Sequence, residues 1–378
     1  MKISIGFCLL VLLIACKQEK NNEESTSPVV IKSVELNIGK LEAIDSFVDT
    51  MFLVPLETTD EALIGYNVDI QFFDSLIYMR SLSSSQITVF DMQGRVNKVF
   101  DKKGEGPMEY LNIDDYFVNE DGLFVFCRGT RKLNRYDING NFLKKIDLSA
   151  YPFLSKVVPY RDRYVCYSEN PRDNEFAVYV VDKNGGLINT YFEDRCYGSS
   201  TSVYDKPLSI TSKGILANFV VDYNIYLYDG NDFVADMCFD FGDFNLSDDQ
   251  IMQLRKNRKE EEVSNVKNKV TRIDNIVEVN NWTSYNIREG FRSKRIFINN
   301  RTDLKLSEGD GLFSHFKTMI FSKDDYFVGV IYSNYLTELL TNRVNLYKEE
   351  ISLYEQKYLD LKIDEEDNPV LCFFKLKD

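Results

Sequence analysis

Apolar and polar residues alternate in short runs along most of this chain, and the runs recur. VFDMQGRVNKVF (89–100), RYDINGNFLKKI (135–146) and VVDKNGGLINTY (180–191) share one pattern. An apolar strand ends in Asp, two residues intervene, Gly turns the chain, and a second strand follows. Gly supplies positive φ and the Asp side chain bonds the turn backbone, so each segment predicts a hairpin. LYDGNDFVADMC (227–238) is a fourth copy with the Gly displaced to Gly230. INNRTDLKLSEG (298–309) is a fifth, with Asn300 in the Asp place and Asp303 in the Gly place. The equivalent positions Asp91, Asp137, Asp182, Asp229 and Asn300 step by 46, 45, 47 and 71 residues.

Two more strands fit within one step. In the second unit these are 112–119 and 122–127, followed by 132–137 and the outer strand 142–148. Four short antiparallel strands in each 40–50 residues is the spacing of β-propeller blades, which bury their faces against neighbours and are not stable singly. At the ends, 50–58 precedes the first inner strand (68–73), and 368–377 is a third strand without a following partner. Pairing 50–58 with 370–377 would close the ring and remove an exposed edge. The expected fold is therefore all-β, a six-bladed propeller over residues 46–378 closed by strands from both termini.

Two stretches break the period and predict helical insertions. The long step contains NLSDDQIMQLRKNRKEEEV (245–263), where Ser247 and Gln250 form a capping box, Asp248 and Asp249 complement the helix N-terminus, and Ile251 and Leu254 begin an apolar face. Its charged end reads as a solvated face or a binding patch. Residues 333–358 place Leu336, Leu339, Leu340, Val344, Tyr347, Ile351 and Tyr354 at helical spacing. They pack outside the last blade or offer a groove to a partner.

The chain begins Met1-Lys2, runs apolar from Ile3 to Ala15, and turns polar after Cys16. Such a run is shorter than the roughly 20 residues a membrane span needs, and fits a secretory signal peptide over residues 1–15. Leu13-Ile14-Ala15-Cys16 resembles the bacterial lipobox, which implies cleavage before Cys16 and lipidation of its thiol and new amino terminus. Several acyl chains suffice for stable anchoring. Residues 16–45 are expected to be a polar tether. Acidic residues soon after the Cys also resemble the outer-leaflet signals of Bacteroidetes lipoproteins. The expected location is the bacterial outer membrane, periplasmic or surface-exposed, with the membrane reached through the lipid.

Composition trims the functions available. The chain of 378 residues carries a formal charge of −14, or −15 once Lys2 leaves with the signal. No basic stripe offers a nucleic-acid surface. One His excludes His-rich metal sites and leaves little room for a His-centred triad. Of the seven Cys, Cys127, Cys166, Cys238 and Cys372 sit in apolar strand-like runs and read as buried inert thiols, and no C-x-x-C occurs.

GEGPMEY (104–110) follows the last strand of the first repeat. With the D-x-x-G turns and the terminal DNPVLCFFKLK, it resembles the six-bladed β-propeller lipoproteins of Bacteroidetes, distant relatives of NHL-repeat propellers. Gly104, Gly106, Pro107, Glu109 and Tyr110 match that family's G-x-G-P-x-E-Y loop, and Met108 stands where the family often has Gly. The resemblance implies the fold and no particular activity. The loop leads from an outer strand to the next inner strand, so Glu109, Tyr110, Asp114 and Asp115 are candidates to face a channel ligand. Alternatively, Glu109 bonds loop amides and Tyr110 packs between blades. His315, in another such loop (309–316), is the best single titratable candidate. The favoured function is a non-catalytic binding or scaffold module for a glycan, peptide or protein partner, with no cofactor. The alternative resembles six-bladed lactonases, with Asp69, Asp114, Asp115 and Asn275 supplying oxygens to a channel divalent cation such as calcium.

Overall fold

Six four-stranded antiparallel blades follow one another along the chain, the first five with their own strands in sequence order. The computed structural model describes residues 31–169, 175–193, 206–257, 266–290, 292–309, 313–314, 319–338 and 361–378. Three short N-terminal strands, β1 (Lys32–Glu35), β2 (Glu42–Ala43) and β3 (Val48–Pro55), precede the blades. Blade 1 comprises β4 (Val68–Phe73), β5 (Leu76–Ser81), β6 (Gln86–Asp91) and β7 (Val96–Asp101). Blade 2 holds β8 (Asp115–Asn119), β9 (Gly122–Cys127), β10 (Lys132–Tyr136) and β11 (Phe142–Asp147). Blade 3 holds β12 (Leu154–Tyr160), β13 (Arg163–Ser168), β14 (Phe176–Asp182) and β15 (Leu187–Glu193). Blade 4 holds β16 (Leu208–Ile210), β17 (Ile215–Ala217), β18 (Asn224–Tyr228) and β19 (Phe233–Asp240). Blade 5 holds β20 (Val270–Val279), β21 (Trp282–Glu289), β22 (Arg292–Asn299) and β23 (Lys305–Ser307). Blade 6 is β24 (Phe321–Lys323), β25 (Tyr326–Ile331) and β26 (Val370–Leu376), completed by β3. The fold is the expected six-bladed propeller, and the two ends of the chain pair from Val370↔Pro55 to Leu376↔Val48.

The repeated turns work as their residues imply. Asp91 Oδ1 accepts the amides of Gln93 and Arg95, Asp137 Oδ1 those of Asn139 and Asn141, and Asp182 Oδ1 those of Asn184 and Gly186. The fifth turn departs by one position. Asn299, not Asn300, takes the Asp role, accepting the amides of Arg301 and Thr302, while Asp303 does adopt positive φ in the Gly place. With Asp303 rather than Gly at the reversal, the loop is one residue longer, and the capping side chain falls one residue earlier.

Six apolar clusters occupy the six seams between neighbouring blades, each with at least eleven buried side chains. A buried side chain of this size contributes about 1.5–3 kcal/mol, so a blade separated from its neighbours loses most of its stabilisation. Cys127, Cys166 and Cys372 are buried and unbridged, and burial pushes the thiols of Cys166 and Cys372 well up, which makes them unreactive.

From Lys32 onward the N-terminal segment departs from the polar tether expected over 16–45. β1 adds parallel to β19 at the outer edge of blade 4, and β2 adds parallel to β23 at the edge of blade 5. Val34, Leu36 and Ile38 are buried in the seam between those blades. Residues 32–47 thus strap two blades before β3 closes the third.

Of the helical insertions, α1 (Asp248–Asn257) carries the predicted cap: Ser247 N–H donates to Gln250 Oε1 at 2.9 Å and Gln250 N–H to Ser247 Oγ at 3.3 Å. Ile251 and Leu254 pack against Val221 and Leu246. The second insertion begins as a helix at 333–338 with Leu336 buried, and its continuation to 358 lies outside the described residues.

Turn glycines also seat one blade on the previous one. Gly94 has φ +82°, and a Cβ there would collide with the carbonyl oxygen of Pro55 in blade 6. Gly242, at φ +58°, has open space around it. Gly242→Ala should cost about 1 kcal/mol from backbone strain alone. Gly94→Ala adds a collision with main chain and should lower the urea midpoint by at least twice as much; equal shifts would refute the seating role.

Candidate functional site

The six inner strands enclose a central cavity of about 260 Å³. Its charged side chains come from the beginnings of those strands. Asp69 is the second residue of β4, Asp115 the first of β8, Lys156 the third of β12, and Lys206 lies two residues before β16. Each strand starts where a connection arrives from the blade before, so all four side chains meet at one mouth of the channel.

Blades 1 and 4 are opposite one another in a ring of six, and an ion pair joins them across the channel. Lys206 Nζ donates to Asp69 Oδ1 at 2.7 Å, and the ammonium lies 4.6 Å from the ring centre of Phe321 in blade 6. Alongside, Lys156 Nζ lies 3.5 Å from Asp115 Oδ1, while Asp115 Oδ2 accepts the Val157 amide at 2.8 Å. Arg80, opposite Asp69 on β5 and 1 % exposed, donates to the carbonyls of Ile113 and Asp114 and lies over the Tyr116 ring. The single hydroxyl proton of Tyr116 is shared between the carbonyls of Asp69 at 3.0 Å and Tyr78 at 2.9 Å.

The two carboxyls titrate in opposite directions. Burial pushes Asp69 up, but Lys206, Lys156 and Arg80 together outweigh burial and hold it below the ordinary value. For Asp115, burial dominates: with Asp69 repelling it, Lys156 and the Val157 amide do not compensate, and its pKa is raised.

Of the residues singled out from the sequence, Asp69, Asp115 and Asn275 line this cavity and the GEGPMEY loop does not reach it. Glu109 Oε2 accepts the Gly106 amide at 2.8 Å, and a Cβ at Gly104 would collide with the same carboxylate. Tyr110 is buried between blades 1 and 2, with its hydroxyl donating to Ser85 O and accepting the Lys102 amide. The glycines leave room for Glu109 to fold back over its own loop, which turns it away from the channel. Asp114 Oδ2 accepts from Asn112 Nδ2 and the Arg128 amide, so it caps a turn. His315 and Cys16 lie outside the described residues. Sequence reasoning passed over Lys156 and Lys206. The first had a signal, a charge within the otherwise apolar LSKVVPY strand; the second precedes a strand of only three residues and had none.

The oxygens suggested for a divalent cation do not fit one. Asp69 and Asp115 each face an ammonium, and Asn275 Oδ1 already accepts the Ile320 amide and Arg295 Nη2. A cation here would sit against Lys206 and Lys156. Among the described residues, no three His, Cys, Asp or Glu side chains converge at metal-binding distance.

Fold and site together define a propeller whose channel mouth presents paired opposite charges. Residues 29–375 match the family described as a domain of unknown function, DUF4934, and the chain belongs to that family. Among solved structures, it is similar to a protein from Bacteroides fragilis described as exported, with a TM-score of 0.74 at 18% identity, covering 92% of this chain and 100% of that one. It is also similar to a member of the duf4221 family from Bacteroides vulgatus, with a TM-score of 0.53 at 10% identity over 88% of this chain and 98% of that one. These likenesses are of fold. No curated protein matches.

The opposed carboxyl shifts have opposite consequences for stability. Asp69 stabilises the fold above the unfolded value near 3.9, and its contribution is lost as pH falls below that through its lowered folded value. Asp115 exerts no cost below about 3.9; its cost grows as pH rises from there toward its raised folded value and is constant above it. Asp69→Asn should therefore cost about 2–3 kcal/mol at pH 7, somewhat less than for a fully enclosed pair because Lys206 keeps some water. It should also flatten the acid limb of the stability profile. Asp115→Asn keeps an acceptor for Val157 and should be neutral or stabilising at pH 7. Matching losses from the two variants, measured by urea denaturation between pH 3 and 8, would contradict the assignment.

Proposed function

We propose that this protein is a lipid-anchored envelope lipoprotein of the Bacteroidetes type, with an NHL-like propeller that binds a partner without transforming it. The channel mouth is its binding site. The observation that carries this reading is the convergence of Asp69, Asp115, Lys156 and Lys206 from four separate parts of the ring into one cavity. Burying four charges is expensive, and seam packing alone would be served as well by apolar residues. A cavity of this volume suits a peptide end or one or two sugar units better than the broad surface of a folded partner. Pre-formed charges on a rigid ring select a ligand by its charge pattern and lose little on binding.

Anchoring rests on the lipobox-like LIAC at 13–16. The description of the structurally similar Bacteroides fragilis protein as exported is compatible with the same address, and no helix among the described residues is long and apolar enough to cross a membrane. The acidic residues after Cys16 favour the outer membrane, with the propeller in the periplasm or at the surface.

Two measurements test the two halves of this reading. In cells fed a labelled fatty acid, the wild-type chain should take up label and fractionate with membranes, and Cys16→Ser should do neither; a labelled or membrane-bound Cys16→Ser would exclude lipidation there. For binding, Tm should rise with concentration for members of a panel of short peptides and oligosaccharides. Gln71→Trp, two residues along β4 from Asp69, should keep its own Tm and lose the rise. A panel without any shift, or a shift unaffected by Gln71→Trp, would rule out the channel as the site.

A further inference from the structure

We infer that the channel mouth takes a compact zwitterion, an α-amino acid or dipeptide with an apolar side chain, whose two ends replace the ion pairs already there. This deepens the proposed binding function and rests on it.

The argument is one of charge conservation. Asp69 and Lys206 meet across the channel with side-chain exposures of only 5% and 21%, and Asp115 and Lys156 beside them with 10% and 13%. A ligand carrying only a carboxylate can draw Lys206 away, but Asp69 is then left buried without its ammonium. A ligand carrying only an ammonium strands Lys206 in the same way. Removing one partner of a buried pair is strongly unfavourable, whereas exchanging both keeps every charge compensated. A zwitterion does the exchange in one step: its ammonium goes to Asp69 and its carboxylate to Lys206, with Lys156 and Asp115 as the second pair within reach.

Size and lining narrow the class. At about 260 Å³ the cavity lies just below the usual range for small-molecule sites, roughly 300–1,000 Å³. Beyond the charged mouth it is lined by Phe72, Val158, Pro159 and Ile210, with Ile210 59% exposed. These residues follow the charged ones by two to four positions along β4, β12 and β16, so the lining turns apolar further along the channel. The two requirements, both charges close together and an apolar group next to them, describe an amino acid or a dipeptide.

The test is isothermal titration of the purified protein with the dipeptide Ala-Leu, with N-acetyl-leucine (anion only) and with leucinamide (cation only). Ala-Leu should bind, and each singly charged analogue should bind at least ten-fold more weakly. The neutral double variant Asp69→Asn/Lys206→Met should lose affinity for Ala-Leu by at least ten-fold. Because the analogues probe the wild-type protein, the test stands even if the double variant does not fold. Analogues binding within ten-fold of Ala-Leu, or a folded double variant with undiminished affinity, would overturn the inference. Oligosaccharide binding blocked by Gln71→Trp, with no response to Ala-Leu, would overturn it too, yet leave the channel as a binding site. No binding by any probe would take both readings down.

Discussion

Everything in this ring depends on one non-covalent closure, the antiparallel pairing of β3 with β26. Strands within blades 1–5 join neighbours close in sequence, but blade 6 is assembled from residues more than 300 positions apart. Without β3, β26 would present an open edge, and the seams on either side of blade 6 would lose Met51, Val54 and Leu56. The closure is reinforced at its end by Asn368, 2% exposed. Its side chain accepts the Ile64 amide and donates to the carbonyls of Glu57 and Ala62, while its own amide donates to Thr58 Oγ1. Satisfying a buried amide this fully fixes one geometry for the joint.

The same N-terminal segment extends the closure backwards. Before becoming β3 it runs along the outer edges of blades 4 and 5, so a single stretch of chain touches three consecutive blades. Among the described residues, blades 1, 2 and 3 have no such strap, and two of their outer strands carry lysines instead, Lys98 in β7 and Lys144 and Lys145 in β11, which discourage edge pairing.

What the sequence disclosed follows the range of the forces involved. The turns at Asp91, Asp137 and Asp182 are local chemistry, complete within five residues, and their spacing revealed the ring. The turn at Asn299 was displaced by one because its pattern lacks Gly, and two adjacent Asn residues compete for one role. The strap was hidden because β1 shows one buried residue in four and pairs with residues some 200 positions away. At the site, loop destination was legible and side-chain direction was not. The loop at 104–110 does lead to an inner strand, but packing around Gly104 and Gly106 turns Glu109 back onto the backbone. Asp115 was found because it begins a strand; Lys206 pairs with Asp69, 137 positions away, and no local pattern could connect them.

The ring separates the holding of blades from the presentation of charge. At the seams, side chains bond the neighbouring backbone: Tyr116 to Asp69 O, Ser209 to the Ile276 amide, Asn275 to the Ile320 amide, and Tyr332 to the Asn67 amide. These bonds fix the inner strands relative to one another. Asp115 serves both purposes, one oxygen on Val157 of the next blade and the other toward Lys156. Because the strands are held by other groups, Asp69, Lys156 and Lys206 are not needed to keep the ring shut and can exchange partners without opening it. With Arg80 buried behind them and bonded to main-chain carbonyls, the mouth itself presents two cations against two carboxylates in a chain whose net charge is −14. That local balance sets the mouth apart from the acidic exterior and lets a ligand carrying both charges approach without net repulsion.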